Sequence, residues 1–393
     1  MDTLCFGGED WWYHNRGHVD MQLIRRFARL GTALYVNSVV MQKPSLKKTT
    51  AGGKSLSAKL IRKTKSILRG SRKTDAGFWV YSPVSLPVHH IASLRMVNET
   101  LLRFQLSITM HKLGIRNPIV WVACPAACDV ATNMKRSRLI YQRTDRYEEY
   151  PNVDADIIKW YDRKLKARAD MTIFVNNMLY TEEANQCKRA FYLDHGVDFE
   201  LFATAQNSRE IPADIKDISR PIVGFFGGID NHTSDIDLVE KVTDLLPEMN
   251  FVFVGKSSVD SRNLLSKRNV LMLGQKPYEQ IPQYGKCFDV AIMPWRQSRW
   301  IEACNPIKLK EYLALGKPVV STPFPELQKY LDVVYQAKTP EEFAERIRQA
   351  LAEDCPQRID TRREKVRHAT WDSKAELVLR MLFEQEKHIT GRN

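Results

Sequence analysis

The segment from Asn305 to Val320 constrains the fold of this chain more than any other part of the sequence. Pro306 suits the first turn of a helix, where the N–H that proline lacks would have no partner. Helix-forming residues continue to Gly316, which is typical of the position after a helix, and Pro318 then opens an apolar strand. A helix that leads directly into a strand predicts an α/β domain.

Lys308 and Glu311 are three residues apart in this predicted helix and therefore share a face. The backbone N–H groups and the dipole at a helix N-terminus attract phosphate, and Lys308 adds a full positive charge. A cation for phosphate and a carboxylate for sugar hydroxyls, one turn apart, suit a nucleotide. An ordinary surface ion pair explains the spacing equally well, so the spacing alone leaves both interpretations open.

The segment resembles the nucleotide-sugar motif of GT-B glycosyltransferases, Pro-x-Lys-x-x-Glu-Tyr-Leu-Ala-x-Gly-x-Pro-Val-Val. Residues 273–278 and 288–295 are similar to the strands that precede this helix in the family. Residues 194–202 are similar to the element that ends its N-terminal domain, with His195 in place of Asn. The resemblance covers residues 190–385 well and the N-terminal half only in parts, and it points to enzymes of the bacterial polysaccharide and teichuronic-acid type.

The resemblance implies an α/β fold of the GT-B type, in which two Rossmann-like, doubly wound domains face a cleft and the C-terminal helix crosses back to the N-terminal domain. It places the glycines after the strand at 221–226 near the diphosphate, Lys308 on phosphate and Glu311 on the ribose hydroxyls. The implied donor-binding residues are Gly227, Gly228, Asn305, Pro306, Lys308 and Glu311. The donor is expected to be a UDP- or GDP-linked sugar, with no other cofactor.

No metal is implied, because the sequence has no Asp-x-Asp triplet placed after a strand as a diphosphate–metal clamp. The triplets at 154–156 and 235–237 both stand at predicted helix starts, where capping and the helix dipole explain acidic residues.

The catalytic carboxylate is less clearly marked. Many retaining members of the family carry a Glu-x7-Glu pair, but here Ala303 holds the first position and Glu302 is one residue away. The loop at 142–150 resembles the catalytic Asp loop of inverting bacterial polysaccharide glycosyltransferases, so Asp145 becomes the candidate base of an inverting transfer. An Asp that caps a helix or pairs with a neighbouring arginine is the equally weighted alternative, with Glu148, Glu149 and His18 in reserve.

A chain of 393 residues is expected to form two domains. We predict an N-terminal acceptor-binding domain over 1–202, a linker over 203–219, a nucleotide-sugar-binding domain over 220–372 and a returning helix over 373–393. Strands are expected at 3–6, 33–40, 78–81, 119–122, 139–141 and 171–175, then at 221–226, 251–254, 270–273, 290–293 and 319–321. Helices alternate with these strands, which predicts parallel sheets.

The formal net charge of +13 favours anionic partners. Residues 43–74 contain eleven Lys or Arg and no acid, with apolar residues on one helical face and cations around the other. This pattern indicates a helix lying on an anionic membrane, and a solvated basic loop is the alternative. Nucleic acid is not expected, because the stretch has no aromatic residue for base stacking. The cations assigned to the membrane face are Lys59, Arg62, Lys63, Lys65 and Arg69.

The loop after the first strand is rich in aromatic residues and histidine, and ligands bind at such strand ends. The acceptor-side candidates are Trp11, Trp12, His14, His18 and Glu148. Packing of Trp11 and Trp12 in the core is the alternative.

Seven scattered cysteines, with Cys124 and Cys128 in an apolar stretch, fit a reduced cytoplasm. No secretory signal and no membrane-spanning stretch is expected.

Together these features predict a glycosyltransferase on the inner face of the cell membrane. It would move a sugar from a nucleotide-diphospho-sugar to a lipid-linked saccharide acceptor in cell-surface or exopolysaccharide synthesis. The alternatives are a GT-B sugar-nucleotide epimerase, against which the basic insertion argues, and a non-catalytic nucleotide- or membrane-binding protein.

Overall fold

The computed structural model describes residues 1–13, 17–37, 56–85, 92–259 and 262–383. These residues form two compact units. The first contains the described residues up to Asp194 together with those from Lys374 onward, and the second runs from His195 to Ser373.

The first unit is an eight-stranded sheet with helices between its strands. Its order is β3-β4-β2-β1-β5-β6-β7-β8, and every pairing is parallel except that of β3 with β4. The elements are β1 (Thr3–Phe6), α1 (Val19–Phe27), β2 (Ala33–Val36), α2 (Leu56–Leu68), β3 (Ser71–Lys73), β4 (Trp79–Tyr81), α3 (Ala92–Lys112), β5 (Ile119–Val122), α4 (Cys128–Thr132), β6 (Arg138–Arg143), α5 (Ala155–Arg168), β7 (Met171–Phe174), α6 (Asn177–Glu183) and β8 (Ala190–Tyr192).

The second unit is a six-stranded, wholly parallel sheet of order β11-β10-β9-β12-β13-β14. Its elements are α7 (Phe199–Ala203), β9 (Ile222–Phe226), α8 (Ile236–Leu245), β10 (Asn250–Val254), α9 (Arg262–Leu265), β11 (Val270–Gly274), α10 (Ile281–Gly285), β12 (Val290–Met293), α11 (Arg299–Glu302), α12 (Ile307–Ala314), β13 (Val319–Ser321), β14 (Tyr335–Gln336), α13 (Pro340–Ala352), α14 (Pro356–Arg367) and the first residues of α15 (Trp371–Phe383).

The central strands of both sheets are short, apolar and buried. All residues of β1, β2, β5 and β7 are buried, as are all of β9, because helices cover a parallel sheet on both faces. The predicted doubly wound α/β architecture is confirmed for both units.

The last helix completes the first unit, as predicted. Lys374 forms an ion pair with Asp194, and an Nη2–H of Arg189 donates to the carbonyl of Met381 at 3.1 Å. None of the helices in the described ranges has the length and hydropathy that a bilayer span requires.

Some predicted strands differ from the observed ones in their bounds or were not predicted at all. The strand expected over 33–40 ends at Val36. The next residue, Asn37, is buried and its Oδ1 accepts the N–H of Trp11; residues 38–40 lie outside the described ranges. The sequence prediction also missed three short strands, β3, β8 and β14.

Candidate functional site in the second unit

The start of α12 is held against the end of β9. Pro306 has extended backbone angles, φ −78° and ψ 122°, directly before the first helical residue. Within the helix, the hydroxyl of the fully buried Tyr312 accepts the N–H of Phe226 at 2.8 Å. Gly316 ends the segment at φ +78°, a left-handed conformation that favours glycine. The helix N-terminus is therefore fixed beside the loop that follows β9.

Lys308 lies in the first turn of α12 with its ammonium group against aromatic rings. Nζ is 4.3 Å from the ring centroid of Phe225 and 5.8 Å from that of Trp295. Burial lowers the pKa of Lys308 to about 8, against an opposing effect of the nearby Asp230 and Glu311 carboxyl groups. The site thus holds a desolvated cation, and the negative charge of an anionic ligand would offset the cost of that desolvation.

Gly227 makes room for that ammonium group. Its φ is +135°, and a Cβ at this position would lie 2.5 Å from Lys308 Nζ. The backbone of Gly255 also packs closely against that of Gly227, since a Cβ on Gly255 would lie 1.8 Å from the Gly227 carbonyl oxygen. The structure therefore brings Gly227 and Lys308 together, as the resemblance implied for a diphosphate site.

Glu311 lies one turn further along the helix and is 6% exposed. The hydroxyl of Tyr278 donates to its Oε1 at 3.0 Å. Burial raises the pKa of Glu311 to about 7, against the opposing effects of the Tyr278 hydrogen bond and the Lys308 charge. A buried carboxyl group held in one orientation is suited to receive a pair of ribose hydroxyls.

The loop after Gly228 is shaped by Asp230. Its Oδ1 accepts the N–H groups of His232 and Thr233, both at 2.9 Å, and the Thr233 hydroxyl at 3.1 Å. Neither Asp230 nor Tyr278 was predicted as a site residue. Tyr278 is the last residue of the 273–278 segment that resembles the family, but nothing in its spacing indicates a partner 33 residues away.

The remaining second-unit candidates lie around the same helix start. Asn305 is half-buried directly before Pro306. Ala303, at the first position of the Glu-x7-Glu pattern, is fully buried, whereas Glu302 is exposed at the end of α11. The two Asp-x-Asp triplets do begin helices, where Asp154 and Asp235 each accept a backbone N–H as N-caps.

Candidate residues in the first unit

Asp145 lies two residues beyond the end of β6, in a loop held by buried charges. Arg143 is fully buried, and its Nη2 lies 3.0 Å from both carboxylate oxygens of Glu148. Arg143 also contacts Asp162 and Glu183 at 3.3 Å. Glu148, predicted on the acceptor side, thus forms a clamp with Arg143 across the loop.

Asp145 itself is half-buried and its backbone carbonyl accepts the N–H of Tyr147 at 2.9 Å. Burial, and secondly the Asp145 charge, raise the pKa of Tyr147 well above its usual value. Arg146 forms an ion pair with Glu182 at 2.6 Å. Glu149 is half-buried in the short 3₁₀ turn that follows.

The aromatic loop after β1 has an inner and an outer part. Trp11 is 2% exposed and packs edge-on against Phe78 at 4.7 Å between ring centroids. Trp12 is half-buried, and His18 is exposed at the start of α1. His14 lies outside the described residues.

The predicted basic helix is α2, and it is docked on this loop through Ser66. The fully buried Ser66 hydroxyl lies 3.0 Å from Asp10 Oδ2 and 2.6 Å from the Ser82 hydroxyl. Ile61 and Leu68 face outward and are 54% and 78% exposed. Lys65 and Arg69 are exposed and Arg62 and Lys63 are half-buried, whereas the side chain of Lys59 lies outside the described residues.

Comparisons with known proteins

A family comparison matches part of the second unit. Residues 220–353 match the family described as Glycosyl transferases group 1. They include every predicted donor-binding residue.

A search of curated proteins matched one from Bacillus subtilis (strain 168), named as a teichuronic acid biosynthesis glycosyltransferase, TuaH. The identity is 30% over 183 residues, which cover 44% of this chain and 45% of that protein. The match thus spans less than half the length of that relative.

Solved structures establish the overall fold. Sucrose-phosphate synthase from Thermosynechococcus elongatus superposes with a TM-score of 0.70 at 15% identity, covering 99% of this chain and all of that one. The Anabaena protein HepE, in complex with UDP and glucose, gives a TM-score of 0.66 at 13% identity, covering 97% and 98%. The chain has the GT-B fold, and the resemblance to GT-B glycosyltransferases is confirmed.

Proposed function

We propose that this protein is a glycosyltransferase that moves a sugar from a nucleotide-diphospho-sugar to a lipid-linked saccharide. The observation that carries the proposal is the start of α12. There a desolvated Lys308 ammonium faces Gly227, and one turn away Glu311 is held by Tyr278. A diphosphate at the first position and a ribose at the second would use both groups at once.

The donor is proposed to be UDP-linked. The support comes from HepE, which has been crystallised in complex with UDP-glucose and superposes on 97% of this chain. The donor-site set is Gly227, Gly228, Asn305, Pro306, Lys308 and Glu311.

The acceptor is proposed to be lipid-linked and reached at the cytoplasmic membrane face, in cell-surface polysaccharide synthesis. The name of the Bacillus subtilis relative supports this pathway class. The outward Ile61 and Leu68 of α2, beside Lys65 and Arg69, suit an anionic lipid surface, since apolar side chains and cations share one exposed face.

Asp145 stays a candidate catalytic carboxylate without a stereochemical assignment. Glycosyltransferases of this group retain the donor's anomeric configuration, so the inverting prediction drawn from Asp145 has no support. Ala303 stands at the first position of the retaining Glu-x7-Glu pattern, so this chain has no carboxylate there.

The test is a panel of UDP- and GDP-sugars in a thermal-shift assay, followed by transfer to lipid extracts monitored by mass spectrometry. One nucleotide-sugar is expected to raise the Tm saturably and to label a lipid-linked saccharide. A nucleotide-sugar that is converted to its epimer without any acceptor would identify an epimerase instead. Absence of a saturable shift with every nucleotide would refute the donor-site assignment.

A further inference from the structure

Two side chains of α2, the arginine that follows this helix and two aromatic residues of the first loop form a compact group. This group is here named the arginine–aromatic cluster: Trp12, Tyr13, Arg62, Lys63 and Arg69. Arg62 Cζ lies 4.9 Å from the Tyr13 ring centroid. Arg69 Cζ lies 4.8 Å from the Trp12 ring centroid and 5.5 Å from that of Tyr13. The two guanidinium groups are therefore stacked on neighbouring rings at the carboxyl end of β1, where a parallel sheet binds its ligands.

The positive charge of this cluster is incompletely neutralised. Lys63 is near Asp10, and burial lowers its pKa against the opposing effect of that carboxylate. Asp10 supplies one negative charge beside three cations, and its oxygens also accept the N–H of Trp12 at 2.9 Å and the Ser66 hydroxyl at 3.0 Å. Within the described part of the chain, no carboxylate forms a salt bridge with Arg62 or Arg69.

Two hydrogen-bond donors of the cluster are also unused. Arg62 Nε and the indole Nε1 of Trp12 are covered, and neither has a hydrogen-bond partner among the described residues. A covered donor without an acceptor costs about 1–3 kcal/mol, so such groups are rare unless a ligand uses them. Both unused atoms are donors, and both stand beside excess positive charge.

We propose that the arginine–aromatic cluster binds a phosphate or pyrophosphate group. Such a group carries several acceptor oxygens and enough negative charge to satisfy Arg62 Nε and Trp12 Nε1 together. Arg69 is exposed and Arg62 is half-buried, so the cluster has both an accessible and a sheltered guanidinium group. The Tyr13 and Trp12 rings fix the guanidinium planes, which reduces the ordering needed on binding.

The phosphate can belong to the acceptor lipid or to a free phosphorylated compound. Its assignment to the acceptor rests on the proposed function, whereas the anion site rests only on the contacts given above. All members of the arginine–aromatic cluster belong to the first unit, whereas the proposed donor residues belong to the second.

The test measures pyrophosphate binding by calorimetry in the Lys308→Ala background, where the proposed donor site is disabled. Trp12→Phe removes the indole N–H with the five-membered ring but keeps an aromatic ring for Arg69. Arg62→Lys keeps the charge but removes the guanidinium. Each is expected to weaken pyrophosphate binding at least about ten-fold, because a hydrogen bond to a charged group is lost. Lys73→Ala removes one exposed cation of β3, outside the cluster, and should bind pyrophosphate as the parent does, which would exclude a general effect of surface charge.

Vesicles distinguish the two sources of phosphate. If phosphatidylglycerol vesicles displace pyrophosphate and phosphatidylcholine vesicles do not, the site accepts a phosphate group held at a lipid surface, as the phosphate of an acceptor lipid would be. If neither displaces it, the ligand is a soluble phosphorylated compound. Unchanged affinity in both Trp12→Phe and Arg62→Lys, with folding verified by an unchanged Tm, would overturn the proposal whether or not the donor site binds nucleotides.

Discussion

Lys308 should lower the stability of the ligand-free protein and raise its affinity for the nucleotide. Substitution by methionine measures the two effects separately. Burial brings its pKa from 10.5 to about 8, so the folded state carries a penalty on the order of 3 kcal/mol for the charged form below pH 8. Lys308→Met keeps a straight side chain on Phe225 and removes that charge. We expect the free energy of unfolding at pH 7 to rise by about 1–3 kcal/mol.

Nucleotide binding should change in the opposite direction. Loss of a charge-assisted hydrogen bond to phosphate costs about 1.5–3 kcal/mol, so the affinity for UDP should fall about ten- to a hundred-fold. The measurements are urea denaturation without ligand and calorimetric titration with UDP.

Lys317, at the other end of α12, is a matched control. Burial lowers its pKa to about 8 as well, against the opposing charge of Asp289. Lys317→Met should therefore stabilise the protein similarly, yet leave UDP affinity unchanged, because it is remote from the helix N-terminus. Equal UDP affinity in wild type and Lys308→Met would refute the donor-site argument.

The pH dependence follows from the sign of the shift. A lysine with a lowered pKa binds fewer protons in the folded state, so wild-type stability should rise between about pH 8 and 10.5. The stability advantage of Lys308→Met should therefore shrink over that interval. An advantage that stays constant with pH would show that the side chain's packing, not its charge, is responsible.

Three further outcomes are expected. Glu311→Gln should become progressively more stabilising, relative to wild type, between pH 4.5 and about 7, because the folded wild type with its raised pKa loses stability as the carboxyl ionises. Denaturation curves across that range measure the difference in unfolding free energy, and a difference that does not change with pH would place Glu311 in water. Replacing the exposed Ile61 and Leu68 of α2 together by serine should reduce sedimentation with anionic vesicles at least ten-fold without lowering Tm, and unchanged sedimentation would exclude this face as the anchor. Asp145→Asn should preserve UDP affinity and lower turnover about 10²–10⁴-fold if Asp145 acts in the reaction. Near-normal turnover in a transfer assay would remove Asp145 from the mechanism.

The donor-side helix could be predicted from the sequence because its signals are local. Proline, a periodic apolar face and Gly316 define α12 to within two residues, since each acts on its own turn. The strand Ile119–Val122 was predicted at its observed bounds for the same reason: a buried parallel strand is a short continuous apolar run.

Contacts between distant residues could not be predicted in this way. Tyr278 reaches Glu311, and Ser66 reaches Asp10, only because the sheets bring separate loops together. The basic stretch gave the position of α2 correctly, but its periodicity could not show that a serine is the residue that attaches this helix to the strand ends.

The last helix gives the first unit a particular order of assembly during synthesis. Residues up to Asp194 leave the ribosome first, yet the partners of Asp194 and Arg189 are Lys374 and Met381, which are made only after the whole second unit. The sheet of the first unit therefore has an uncovered flank while about 180 further residues are synthesised. At typical synthesis rates that interval lasts about ten seconds or more. An expression fragment ending at residue 194 would keep this flank uncovered permanently. A fragment that joins residues 374–383 to it through a flexible linker would restore the cover.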